Sequence, residues 1–191
     1  MAINSVQVQP HLVTVDEYER MVQISVFPKD ERVELIEGRI FSLPAASASA
    51  ASLVQRLDGL LANGTTTRVI VSVHDAIRLP RSEPQPDLAL LKLRADNYFG
   101  GHPAASDVLL AVEVAGTAAD YDRNAKIPLY GPNGIPEAWL IDLSEQIIEV
   151  YRQPNNNGYG EKRTYASGDQ LAPLALPELS LAVAEILGIS A

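Results

Sequence analysis

The chain has 191 residues, carries a formal net charge of −9 at pH 7 and contains no cysteine. Its 47% of hydrophobic residues is enough for a folded core and excludes a disordered tail, and the lack of cysteine excludes disulfides, Cys-ligated zinc and a thiol nucleophile. No apolar run approaches the roughly 18 residues of a membrane helix, and the first residues lack a signal-peptide pattern, so we expect a cytoplasmic protein without a membrane partner.

The first third of the chain predicts helix, hairpin and helix. We expect residues 1–12 to form a flexible extended segment and residues 13–191 to form a single domain. Thr14 and Glu17 have the spacing of a capping box, which predicts a short helix. "ERVELIEGRIFSLP" alternates around a Glu-Gly turn and predicts a β-hairpin. Apolar residues at three-and-four spacing in "AASASAASLVQRLDGLLANG" predict a second helix.

The rest of the chain is dominated by predicted strands. "TRVIVSV", "EPQPDLALLKL" and "DVLLAVEVAG" each predict a strand. "TAADYDRNAKIPLYGPNGIPE" predicts a helix that begins at Asp120 and that Pro128 kinks or ends early. "EAWLIDL" and "QIIEVYRQ" predict an antiparallel pair, "EKRTYASGDQL" a last strand, and "LPELSLAVAEIL" a closing strand or short helix. This order predicts an α/β (α+β) fold with one mixed β-sheet flanked by helices.

Acidic residues at strand ends are the main functional signal. Glu113 lies near the end of an apolar strand, where a carboxylate needs a metal ion, a cationic side chain or an opening to water. Asp87 precedes another strand, and if the two strands are neighbours both acids reach one cleft. Two carboxylates plus water suit Mg²⁺, which polarises phosphodiesters. Lys126 is a candidate to position or activate the attacking water, and Glu34 is a fourth candidate.

Each of these residues also has a structural interpretation. Asp87 could cap a strand or turn, and Glu113 could pair with an arginine. Lys126 could form a surface pair with Asp122 four residues earlier, and Glu34 could belong to a solvated hairpin face. The residue pattern alone leaves both interpretations open.

Other polar residues give weaker signals. The basic residues of the last predicted hairpin, Arg152, Lys162 and Arg163, could contact a DNA backbone or form a solvated edge. His74 and His102 are isolated, which favours structural roles. The absence of a glycine-rich nucleotide motif removes support for a nucleotide cofactor.

The pattern "VELIEG", "EPQPDLALL", "LLAVEV…YDRNAKIPLYGPNGIPEAWLIDL" and "IIEVYRQP…GY" resembles the Uma-type restriction endonuclease family of the PD-(D/E)XK nuclease superfamily. The resemblance runs from about Val15 to Leu187. It implies a restriction-endonuclease-like fold and a site that depends on Mg²⁺ or Mn²⁺. Asp87 and Glu113 match the two metal-binding acids of that pattern, and Glu34 fits the acid of an early element.

The sequence departs from the superfamily pattern at two places. Ala115 stands two residues after Glu113, where a lysine is expected, and the family's resemblance implies that Lys126 replaces it from the next helix. The histidine expected after the first hairpin is missing from "AASASAAS". The sequence thus predicts a Mg²⁺-dependent DNA endonuclease, acting as a homodimer because two strands need two sites. The alternatives are a catalytically degenerate nuclease fold that binds nucleic acid or protein, and a hydrolase of other phosphate esters.

Overall fold

A computed structural model describes residues 9–65, 68–116 and 121–189 of the chain. Of the expected flexible segment, residues 1–8 lie outside the described residues, and residues 9–12 have no regular secondary structure. Within these described ranges no helix combines the length and the apolar character needed to cross a membrane. The helices are α1 (Val15–Gln23), α2 (Ala48–Thr65), α3 (Ile127–Tyr130) and α4 (Val183–Leu187). The strands are β1 (Arg32–Ile36), β2 (Arg39–Leu43), β3 (Val69–Val73), β4 (Leu88–Lys92), β5 (Val108–Ala115), β6 (Glu137–Asp142), β7 (Ile147–Asn155), β8 (Gly158–Tyr165), β9 (Gln170–Leu171) and β10 (Leu181–Ala182).

A six-stranded mixed sheet forms the centre of the fold. Its strand order is β3-β4-β5-β6-β7-β8, and every neighbouring pair is antiparallel except β5 and β6. The parallel pair requires a crossover connection, which contains α3. The strands β1 and β2 form a separate antiparallel hairpin. The short strands β9 and β10 form a second antiparallel pair. The mixed sheet flanked by helices agrees with the fold class predicted from the sequence.

Each face of the sheet packs against different helices. Leu110 and Val112 of β5 belong to the apolar cluster that contains α2 and α4, whereas Ala111 and Ala115 belong to the cluster that contains α3. Side chains alternate between the faces of a strand. Glu113 therefore lies on the α3 face of the sheet, although it is only 1% exposed.

The first hairpin is held beside the sheet by α1. The Thr14–Glu17 capping box is present at the start of α1, as its spacing predicted. Val33 and Leu35 of β1 pack with Tyr18 of α1 in a small third cluster. Because the strand alternates, Glu34 is directed to the opposite side, away from that cluster.

The connection from β5 to β6 differs from the predicted regular helix. Its expected first residue, Asp120, lies outside the described residues. The described part is a π-helical turn, Asp122–Lys126, which continues into α3. The N–H of Ile127 donates to the carbonyl of Asp122, five residues back. Pro128 lacks an N–H and is accommodated in the first turn of α3, where none is needed. The π-turn buries both Asp122 and Lys126.

Candidate active site

Lys126 contacts the glutamate of the central strand. Its Nζ donates to Glu113 Oε2 at 2.7 Å and to the backbone carbonyl of Gln85 at 2.9 Å. The other oxygen of Glu113 accepts a short hydrogen bond from the hydroxyl of Tyr130. The lysine of the π-turn therefore reaches the acid of β5 in three dimensions, although the two are 13 residues apart in the chain.

Glu34 brings the first hairpin to the same lysine. Its Oε1 lies 3.2 Å from Lys126 Nζ and accepts the N–H of Gln85 at 2.9 Å. Its Oε2 accepts from the Tyr121 hydroxyl at 3.3 Å. Lys126 thus donates hydrogen bonds to Glu113 and to the carbonyl of Gln85, and it forms an ion pair with Glu34.

Asp87 is placed by the start of β4. The antiparallel register pairs Leu88 with Val112, so Asp87 lies one residue beyond that pair, at the level of Glu113. Its Oδ2 accepts the backbone N–H of Val114 at 2.7 Å. Its Oδ1 lies 3.5 Å from His74 Nε2. Asp87 is thus fixed to the backbone of the strand that carries Glu113.

One cavity joins these groups, and we call it the carboxylate cavity. It measures about 490 Å³, including the part that opens to solvent. Its polar lining residues are Asp87, Glu113, Asp122, Lys126, Arg32 and Ser47. Unlike Glu113, the side chain of Asp122 makes no hydrogen bond to any other described residue, so its carboxylate is free to act on a molecule in the cavity.

Four carboxylates surround the single lysine and shape the charge of the cavity. Burial raises the pKa of Glu113 well above its usual value, and Lys126 opposes this rise. Burial likewise raises the pKa of Asp122 to about 7, again against the effect of Lys126. Burial acts in the same direction on Asp87, but its bond to His74 and the charge of Lys126 outweigh it and lower the pKa.

Lys126 itself stays protonated. Burial favours the neutral amine, but Glu113, Glu34 and Asp122 outweigh that effect and raise the pKa of Lys126 above its usual value. A lysine with a raised pKa does not remove a proton from water at neutral pH. The geometry assigns it to holding the two glutamates in place.

The structure brings together all four residues singled out in the sequence, Glu34, Asp87, Glu113 and Lys126. The surface interpretations of two of them are wrong: Glu34 is fully buried and Lys126 is 3% exposed. Asp122 is also buried, so the pair with Lys126 is not a surface pair. The sequence pattern identified these residues but could not specify the contacts and the burial that they have in the fold.

The sequence interpretation placed neither Tyr130 nor Asp122 in the site: it favoured packing for Tyr130 and a surface pair with Lys126 for Asp122. It also misjudged a third residue. Tyr130 lies four residues after Lys126 and Asp122 four before it, so helical spacing from the lysine was the available signal for both. His74 is not isolated, because it contacts Asp87.

The basic residues of the β7–β8 hairpin are engaged elsewhere. Arg152 pairs with Glu137 and Lys162 with Glu149, both at 2.7 Å, and Arg163 pairs with Glu161 at 2.5 Å. Because each of these cations is paired with an acid, the hairpin does not present a free basic surface.

The donors of the carboxylate cavity fit one kind of metal site. Among the described residues no three His, Cys, Asp or Glu side chains form a ready-made metal shell. Mg²⁺, however, is held by one or two carboxylates and keeps several waters. Asp87 and Glu113 both border the cavity. The acids that line the cavity also outnumber its two cations, Lys126 and Arg32, and a bound divalent cation would favour their ionised forms.

Comparisons with known proteins place this geometry in a family. A solved structure described as a putative nuclease belonging to DUF820 from Anabaena variabilis superposes with a TM-score of 0.72 and 17% sequence identity. The match covers 92% of this chain and 98% of that one, and at this identity it shows a shared fold. No curated protein matches the chain. A family model described as "Uma2: Putative restriction endonuclease" matches residues 15–184. The chain therefore belongs to the Uma2 family.

Proposed function

We propose that the protein is a Mg²⁺-dependent endonuclease that hydrolyses phosphodiester bonds in DNA at the carboxylate cavity. One observation carries the proposal: Asp87 and Glu113, from neighbouring strands, border one cavity, with Lys126 donating to Glu113 at 2.7 Å. Membership of a family described as restriction endonucleases supports the same reaction class. Mn²⁺ is expected to replace Mg²⁺.

The proposed roles follow from the contacts. Asp87 and Glu113 would hold the metal, which when bound lowers the pKa of a water molecule and polarises the phosphate. Lys126 favours the ionised form of Glu113 against the effect of burial and orients its carboxylate, and Glu34 assists by holding Lys126 and the backbone of Gln85. Since the neighbouring carboxylates raise the pKa of Lys126, we assign it to positioning rather than to deprotonating the water.

Asp122 is the best-placed group for accepting a proton from the attacking water. It lines the cavity, and its carboxylate makes no hydrogen bond within the described part of the chain. Its pKa of about 7 suits a general base at neutral pH. In the proposed reaction, water attacks phosphorus, its proton passes to Asp122, and the bond from phosphorus to the leaving oxygen breaks, with that oxygen taking up a proton from solvent.

A plasmid-cleavage assay tests the proposal. Supercoiled DNA is incubated with the wild type, with Asp87→Ala and with Glu145→Ala, a control acid that is exposed in the turn between β6 and β7. We expect nicked or linear products with Mg²⁺ or Mn²⁺ for the wild type and the control, and none for Asp87→Ala or with a chelator. Equal cleavage by all three proteins would contradict the proposed site.

A second candidate is a degenerate nuclease fold that binds DNA or a protein without cutting. The observation that favours it is that Lys126 and Tyr130 already occupy both carboxylate oxygens of Glu113. Absence of cleavage by the wild type, together with retained DNA binding, would support this candidate over the enzyme.

We further propose that the enzyme acts as a homodimer in the cytoplasm, because cutting both strands of a duplex takes two active sites. Light scattering coupled to size-exclusion chromatography tests this directly. A mass near twice that of the chain is expected, and a monomer that linearises plasmid in a single binding event would contradict it.

A further inference from the structure

Arg32 belongs to two adjoining depressions of the surface. On one side it lines the carboxylate cavity. On the other it lines a groove between α1 and β1, which we call the Lys29 groove. This groove measures about 690 Å³, including its open part, and its other lining residues include Lys29, Ser25, Tyr18 and Gln85. Arg32 therefore borders both depressions.

Two cations, Lys29 and Arg32, border these depressions. Within the described ranges neither forms an ion pair, although the charge of Arg32 acts on the carboxylate of Asp122 and opposes the rise that burial causes in its pKa. Some other cations of the protein are engaged, as Arg78 is by Glu19 and Arg123 is by Asp142. Glu31 also lines the Lys29 groove, but it accepts a short hydrogen bond from Ser42 and pairs with neither Lys29 nor Arg32. The charges of Lys29 and Arg32 are therefore available to an anionic ligand.

The hairpin holds Arg32 in a defined place. Arg32 pairs across the hairpin with Leu43, which also lines the carboxylate cavity. Its side chain is partly buried, so part of its conformational freedom is already lost before a ligand binds. A guanidinium group offers paired donors that match two oxygens of a phosphate.

We propose that Arg32 contacts the phosphate that enters the carboxylate cavity and that Lys29 contacts a neighbouring phosphate of the same DNA strand in the Lys29 groove. This inference rests on the proposed function for the identity of the ligand as DNA. The net charge of −9 makes general attraction to DNA unfavourable. Binding must therefore depend on local cations, which is why the loss of either should be measurable.

The salt dependence of DNA binding tests the proposal without cleavage. Fluorescence anisotropy measures binding of a labelled duplex in Ca²⁺ or in chelator, for the wild type, Arg32→Gln, Lys29→Gln and Arg32→Lys. Each phosphate contact contributes about 0.9 to the slope of log K against log salt. We expect Arg32→Gln and Lys29→Gln each to lower that slope by about 1 and Arg32→Lys to retain it.

Arg39→Gln is the matched control, because Arg39 is an exposed arginine at the turn end of the same hairpin, paired with Ile36. It should bind as the wild type does, and circular dichroism should show that all variants are folded. Equal slopes for Arg32→Gln, Lys29→Gln and Arg39→Gln would overturn the inference, as would a wild type that binds no DNA at low salt.

The result is separable from the test of the proposed function. A smaller salt slope for Arg32→Gln and Lys29→Gln, in a protein whose wild type never cleaves DNA, would support the phosphate contacts and contradict the proposed nuclease activity. Metal-dependent cleavage by the wild type, with salt slopes unchanged in Arg32→Gln and Lys29→Gln, would support the nuclease activity and contradict the phosphate contacts.

Discussion

Replacing Lys126 with methionine isolates the electrostatics of the site. Methionine preserves most of the side-chain volume but removes the ammonium group that acts on Glu34, Glu113 and Asp122. Lys126 is 3% exposed and its partner Glu113 is 1% exposed, so the carboxylates left behind cannot be solvated in place. Removing one partner of a buried ion pair costs about 3–5 kcal/mol of unfolding free energy. We expect a loss of this size at pH 8.

The loss should depend on pH with a defined sign. Burial raises the pKa of Glu113 above its usual value, and removing Lys126 raises it further. The folded variant therefore binds more protons than its unfolded chain between the unfolded pKa of about 4.3 and the raised folded value. The loss relative to the wild type is complete above the folded pKa of the variant and shrinks as pH falls toward the lower folded pKa of the wild type, by about 1.4 kcal/mol per pH unit for each proton taken up.

Urea denaturation at pH 8 and pH 5.5 measures both effects. Lys162→Met is the control, because Lys162 pairs with Glu149 at 2.7 Å but is 48% exposed, and a pair of that kind contributes about 1 kcal/mol or less. The double variant Glu113→Gln with Lys126→Met should recover part of the loss. Equal losses for Lys126→Met and Lys162→Met, or a pH-independent loss, would refute the buried-charge argument.

Three further variants test separate parts of the account. Glu83→Gln should raise the unfolding free energy by about 2 kcal/mol at pH 8 and by little at pH 4.5. The reason is that burial and Glu19 raise the pKa of Glu83 to about 7, so that its ionised form destabilises the fold above that pH. An equal gain in urea melts at both pH values would contradict this. Gly131→Ala should lower the unfolding free energy by about 3 kcal/mol, since its Cβ would lie 2.0 Å from the backbone oxygen of Gly158. Gly59→Ala, in open space within α2, should raise the unfolding free energy by about 0.5–1 kcal/mol. Thermal melts measure both, and similar effects at the two positions would be inconsistent with the packing. Asp122→Asn should lower kcat by about 10²-fold or more without lowering the unfolding free energy, and a kcat near that of the wild type would exclude Asp122 as the base.

Local sequence rules predicted the elements well where local forces decide them. Thr14 caps α1 because its side chain reaches the N–H of Glu17, a contact within one turn. The alternation in β1 and the apolar run of β5 likewise identified strands. In each case the determining contacts lie within a few residues of one another.

The site could be predicted only in part, because tertiary contacts form it. The acids and the lysine were identifiable, but their burial was not. Glu34 occupies a polar position in the alternating pattern of β1, which is typical of a solvent-facing residue. It contacts Gln85, Tyr121 and Lys126, which lie far along the chain. The π-turn has no local signature beyond Pro128. A regular helix was therefore the natural prediction, and it left open whether Lys126 belongs to the site or to a surface pair with Asp122.

Anomalous diffraction from crystals soaked in Mn²⁺ tests the central claim most directly. The account predicts one manganese peak in the carboxylate cavity, within ligand distance of Asp87 and Glu113, which is absent in Asp87→Ala crystals. A cavity without manganese at concentrations that support cleavage, or a peak bound by other residues, would contradict a metal site built from these two carboxylates.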